Sequence, residues 1–140
     1  MTIINKTFAR TFSRAGSATK VQARMIASLA AGTDLEIPLF YADFDMYIAA
    51  VWIINQVTVA ADGTNYRIAQ LRDKGTDGTG TTAASTAVDT SATALTAYDA
   101  ISLSATSGYK LAAGKVLAVN FTHAGTGAAL TNALIQVMFK

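Results

Sequence analysis

Apolar residues recur at every second position through much of this chain. In "DLEIPLFY" (34–41) they fall at Leu35, Ile37 and Leu39. In "YRIAQLRDK" (66–74) one series is Tyr66, Ile68 and Gln70, and the other is Arg67, Ala69 and Leu71. In "KVLAVNF" (115–121) Val116, Ala118 and Asn120 face one way, and Leu117, Val119 and Phe121 the other. A period of two belongs to β-strands, whose successive side chains leave opposite faces. "MYIAAVWIINQVTVA" (46–60) alternates less strictly and is crowded with β-branched and aromatic residues, as suits a long strand crossing a core. Trp52 lies in that run and reads as a core residue. "LTAYDAISLS" (95–104) and "NALIQVMFK" (132–140) are further strands, and the second half of 18–31 is read as another.

The punctuation agrees. Pro38 suits an edge strand, because it cannot donate to a ladder. "ADGTN" (61–65), between two β-rich runs, predicts a hairpin. Turn signals follow at Ser107-Gly108, Gly114 and "HAGTGAA" (123–129). Short strands parted by glycine-bearing turns describe an all-β domain: a sandwich, a barrel or a jelly roll. Between the strands, "DKGTDGTGTTAASTAVDTSATALT" (73–96) holds almost nothing bulky. Cutting there would leave halves too small for separate cores, so residues 73–94 are read as a long loop within one domain.

Composition narrows the function classes. The 140 residues include no Cys, which removes disulfides, thiolate metal sites and a Cys nucleophile. The longest apolar run falls well short of the roughly 20 residues of a membrane helix. A protein made in the cytoplasm, without membrane association, is expected. Charged residues make up 14%, against roughly 25% in an average domain, which fits a surface packed against neighbours. The net charge of +2 is unevenly placed. Residues 1–26 hold five basic side chains and no acid, so the remaining chain is mildly acidic.

The apparent catalytic and ligand motifs fail on spacing. Gly75, Gly78 and Gly80 do not give the G-x-G-x-x-G of a pyrophosphate cradle. Asp73 and Asp77 beside Gly78 suggest a calcium loop, yet no carboxylate series develops and no Glu closes it. "GYKLAAGKV" (108–116) is one residue too long for a P-loop, and Val116 stands where a Mg²⁺-binding hydroxyl belongs. His123 is the only imidazole, beside turn glycines, with no G-x-S-x-G elbow to support a triad. Asp43 and Asp45 flank Phe44 at a turn between strands, where Asp is ordinary. No catalytic residue, cofactor or metal is expected, and the protein is read as a non-enzyme.

The N-terminal segment has the most distinctive pattern. "KTFARTFSR" places Lys6, Phe8, Arg10, Phe12 and Arg14 on one side of an extended chain. Three readings stay open: a first strand with a solvated basic face, an arm anchored on another protein, or a contact to single-stranded nucleic acid. The partner-binding residues are taken to be these five, on an arm spanning 1–14, with the domain at 15–140.

"ALTAYDAISLSATSGYKLAAGKVLAVNFTHAGTGAALTNALIQVMF" (94–139) carries Leu111, Gly114, Leu117, the Gly125-Thr126-Gly127 turn and a last strand ending at Phe139. This layout is similar to the ending of small jelly-roll proteins of tailed bacteriophages. The resemblance implies a single-domain β-sandwich of jelly-roll type that decorates a capsid as cement. It further implies binding across major capsid subunits and self-association, often as a homotrimer, on the capsid surface of a virion. A nucleic-acid partner is not expected. The alternative is a carbohydrate-binding module of a phage tail or fibre; a hydrolase on a β scaffold is the third possibility.

Overall fold

The computed structural model describes residues 20–26, 28–103 and 108–140, with side chains from Arg24 onward. Within them the alternating segments become strands close to where their period places them. In chain order these are β1 (Lys20–Ile26), β2 (Leu35–Tyr41), β3 (Met46–Ile54), β4 (Arg67–Asp73) and β5 (Thr82–Ala83). Then come β6 (Val88–Asp89), β7 (Ala100–Ser102), β8 (Lys110–Leu111), β9 (Val116–His123) and β10 (Ala133–Phe139). The first sheet has the order β1-β10-β3-β7, with β8 pairing the start of β3. The second has the order β2-β9-β4-β5, with β6 also pairing β4. Every pairing is antiparallel. The protein is an all-β sandwich.

The core lies between the sheets. Ile48, Val51, Ile53, Ile135, Val137 and Phe139 of the first sheet meet Phe40, Leu71, Leu117, Val119 and Phe121 of the second, all buried. The Phe40 and Phe139 rings stack at a centroid distance of 4.6 Å, a tilted contact that ties β2 to β10. In β3 the inward series shifts from Met46 and Ile48 to Val51 and Ile53, because the ladder slips by one residue against Met138 and Phe139. Pro38 sits on β2, an edge strand, where its missing N–H costs no ladder bond.

Charged side chains hold the two ends of β4. Arg67, only 1% exposed, turns inward and donates to three loop carbonyls: Nε to Ala128 at 2.9 Å, Nη1 to Thr33 at 2.6 Å and Nη2 to Ala30 at 2.9 Å. Burial pulls its pKa down, partly opposed by Asp34. At the other end Asp73, 3% exposed, accepts from Lys115 Nζ at 2.9 Å, the Tyr109 hydroxyl at 2.7 Å and Gly75 N–H at 2.8 Å. Burial would raise the pKa of this carboxyl, but the three donors together hold it below the ordinary value.

Three expectations from the sequence need correction. The hairpin at 61–65 does not form: β3 and β4 belong to different sheets, and residues 55–66 carry the chain between them. A two-residue hairpin turn of the favoured kind needs positive φ, and Gly63 does not adopt it. Asp62 instead accepts from the N–H groups of Thr64 and Asn65, making a local side-chain turn. Trp52 is not in the core; it is half-buried on the outer face of β3. The stretch 73–94 is also more than an excursion, since β5 and β6 both pair with β4. Ala84, Ser85 and Thr90 are buried there, and the Ser85 hydroxyl accepts from Leu71 N–H at 2.9 Å. Small side chains let this segment lie flat against the sheet edge.

Candidate functional site

Lys6, Phe8, Arg10, Phe12 and Arg14 lie outside the described residues. A surface that the sequence reading missed is the outer face of the first sheet. Alternation turns Met25 on β1, Leu134, Gln136 and Met138 on β10, and Trp52 and Ile54 on β3 away from the core. The ladder sets them side by side: Met25 opposite Leu134, Leu134 opposite Ile54, Gln136 opposite Trp52, and Met138 opposite Ala50. Ala100 and Ser102 of β7 continue the rows beyond Ile54 and Trp52. None of these side chains is charged.

At one end the face dips into a cavity of about 520 Å³ lined by Met25, Ile54, Asn55, Gln56, Tyr98, Asn132 and Leu134. Its floor is apolar and its rim is amide: Asn132 Nδ2 donates to Gln56 Oε1 at 2.6 Å. Asn55 beneath the rim is buried and accepts from Thr131 N–H at 3.0 Å, which fixes the strand ends. Tyr98, 74% exposed, stands at the edge with φ of 60°, a left-handed conformation that costs a non-glycine residue about 1–2 kcal/mol. Its N–H donates to the Asn55 carbonyl at 2.9 Å, which holds the strained turn in place. At the opposite end Tyr47 aligns with Lys110, whose ammonium is 2.5 Å from Asp45. That partner raises the Lys110 pKa, and Lys110 with Ala113 N–H lowers that of Asp45.

The residues that suggested ligand chemistry are engaged structurally. Asp73 serves Lys115, Tyr109 and Gly75; burial, with the hydrogen bond to Asp73, pushes the Tyr109 phenol well above its ordinary pKa. Asp77 accepts from the N–H and hydroxyl of Thr79 at 3.0 and 2.9 Å, which lowers its pKa. Gly108 and Gly114 occupy turns with positive φ, and Lys115 next to β9 pairs with Asp73. His123 Nδ1 lies 2.6 Å from Asp34 Oδ1, and its ring packs where a Cβ on Gly127 would stand. Asp43 and Asp45 fall in the connection between β2 and β3. Among the described residues no group of three His, Cys, Asp or Glu side chains is placed to hold a metal. No helix there is long and apolar enough to cross a membrane.

Comparison with protein-family models, curated proteins and solved structures gives no match.

Proposed function

We propose that the protein is an adhesive virion component: a jelly-roll decoration protein of a tailed bacteriophage that binds across major capsid subunits. The observation that carries this reading is the outer face of the first sheet, where Met25, Trp52, Ile54, Leu134 and Met138 form one continuous uncharged surface. Contiguous apolar surface of this kind is characteristic of contact sites. The strand order 1-10-3-7 over 2-9-4-5, with chain connections passing back and forth between the sheets, supports the jelly-roll form of the sandwich.

The mechanism is mass action on assembly. Each bound copy stabilises the shell it spans by an amount that grows with the logarithm of its concentration over Kd. The basic arm, through Lys6, Phe8, Arg10, Phe12 and Arg14, supplies the capsid anchor, and the sandwich body supplies contacts between copies. The carbohydrate-binding alternative would use the same face, where Trp52 lies between Tyr98 at one end and Tyr47 at the other, and a glycan array separates the two readings.

The experiment is co-sedimentation with expanded capsids. Wild type pellets with them, and a chain lacking residues 1–14 stays in the supernatant although its circular dichroism is unchanged. A wild-type chain that does not sediment with capsids, or a strong glycan-array signal with no capsid binding, contradicts the proposal; capsid binding that persists without the arm moves the anchor from residues 1–14 to the sandwich body.

A further inference from the structure

We infer that the cavity at the end of the first sheet is a preformed binding site for a neutral peptide segment, which seats one bulky apolar side chain on the floor and a main-chain amide on the rim. Two backbone outliers point to this place. Among the described residues, Tyr98 (φ 60°) and Asn132 (φ 46°) are the non-glycine residues with positive φ, and both line this cavity, from different connections. Asparagine tolerates that conformation, but tyrosine adopts it only under strain. The strain does not serve the core, since Tyr98 is 74% exposed. Strain of this kind gathers at ligand sites, where the surrounding structure enforces it. Here Asn55 enforces it. Its carbonyl accepts from Tyr98 N–H at 2.9 Å, and its side-chain oxygen accepts from Thr131 N–H, one residue before Asn132, at 3.0 Å. The Thr58 hydroxyl fixes the first of these turns by accepting from Ala97 N–H at 3.0 Å. Both walls are tied to the end of β3 before any ligand arrives, which lowers the ordering cost of binding.

The lining selects the ligand. Its volume of about 520 Å³ falls within the roughly 300–1,000 Å³ of small-ligand sites. None of the lining side chains is charged, so an ionic ligand would lose water there without a counter-charge. Met25, Ile54 and Leu134 give the floor an aliphatic surface that favours an apolar body. On the rim, the bond from Asn132 Nδ2 to Gln56 Oε1 leaves the Gln56 Nε2 donors and the Asn132 Oδ1 acceptor for a ligand. A peptide group answers a donor and an acceptor with its own C=O and N–H. A pyranose meets the rim as well but brings no aliphatic or aromatic body to the floor. The chain's own arm fits poorly. Lys20 enters the sheet opposite Phe139, at the far end from Met25, and the side of the arm that carries Phe8 and Phe12 also carries Lys6, Arg10 and Arg14. The inference deepens the proposed function: that the segment belongs to a capsid subunit rests on that reading, whereas the site itself does not.

Methionine-methyl NMR of the full chain tests the inference, with N-acetyl-L-phenylalanine methylamide as the probe. Met25 lines the cavity and Met46 is buried in the core. The Met25 signal should move and saturate at about 1 mM probe, as suits a ligand of fragment size, while the Met46 signal stays in place. Tyr98→Gly relieves the positive φ and removes only an exposed ring, so its melting temperature should not fall. Probe binding by that variant should nevertheless weaken at least about 10-fold, as expected of an aromatic anchor. Leu134→Asp puts a carboxylate on the floor and should abolish saturation. A Met25 signal unmoved by the probe, or binding indifferent to both substitutions, overturns the inference. So does a shift produced by methyl α-D-glucopyranoside and not by the peptide probe, or binding that appears only once residues 1–14 are removed. Co-sedimentation keeps the two readings apart. Probe binding by a chain that does not pellet with capsids supports the site and contradicts only the capsid reading; pelleting without probe binding contradicts only the site.

Discussion

On the second sheet the side chains turned away from the core include Glu36, Gln70, Arg72, Asn120 and Thr122; on the first they include Met25, Trp52, Ile54, Leu134 and Met138. The polar set is laced together across strands. Glu36 meets Lys74 at 2.6 Å and Arg72 at 3.9 Å, and it accepts from Asn120 at 3.2 Å. The apolar set has no such partners and ends in a cavity. A sheet with one wet face needs alternation, and β4 and β9 alternate; a sheet covered on both faces reads as continuous apolar sequence, and β3 and β10 do. The difference teaches that the core takes only one face of the apolar first sheet and leaves the other outside it.

Substitutions can break that comparison. The largest effect is expected inside: Phe121→Ala should destabilise by roughly 3–5 kcal/mol in a denaturant melt. Trp52→Ala, on the outer face, should cost the isolated chain only about 1–2 kcal/mol, in keeping with partial burial. Equal losses would mean that Trp52 belongs to the core after all.

Arg67→Ala should cost about 3 kcal/mol, because the carbonyls of Ala30, Thr33 and Ala128 lose a charged donor in a buried setting. A melt unchanged by this substitution would show that the loop ends do not depend on it.

Asp73 sets a pH dependence. Its folded pKa lies below the ordinary carboxylate value, so its stabilisation is present above that value and is lost as pH falls through the folded pKa. Wild type should therefore lose stability below about pH 4, the region of ordinary Asp titration. Asp73→Asn, less stable at neutral pH, should show a shallower acid limb in pH-dependent melts. It should not be flat, because Asp45, Asp62, Asp77 and Asp89 are also held low. An identical acid limb would remove Asp73 from this role.

The smallest effect is expected on the polar face. Glu36→Gln should change stability by less than about 1 kcal/mol, because exposed ion pairs contribute little.

Much of the sandwich was legible in the sequence, since alternation marked β2, β4 and β9 and Pro38 marked an edge. Topology was less so. The Asp62-Gly63 signal was local, and a turn signal does not say whether the next strand lies beside the last or across the core from it. β5 and β6 were hidden because Thr82–Ala83 and Val88–Asp89 are too short to show a period. The outer face left a trace in the runs "MYIAAVWII" and "NALIQVMF", whose lack of polar alternation is the pattern of a strand to be covered twice. A strand deep in a single core leaves the same trace, which is why the sequence alone puts Trp52 inside. For Arg67 period and charge disagree: alternation puts it on the face of Ala69 and Leu71, whereas an arginine in a strand reads as solvent-facing until the loop carbonyls around it are known.

Trp52 is the single tryptophan and stands on the face in question, so its fluorescence reports directly on whether that face is covered. Read against capsids alone, the emission maximum of the full chain should move to the blue when expanded capsids are added, and Leu134→Asp should abolish the shift. Capsid binding with no such shift would contradict the claim that the first sheet turns its outer face to a neighbour.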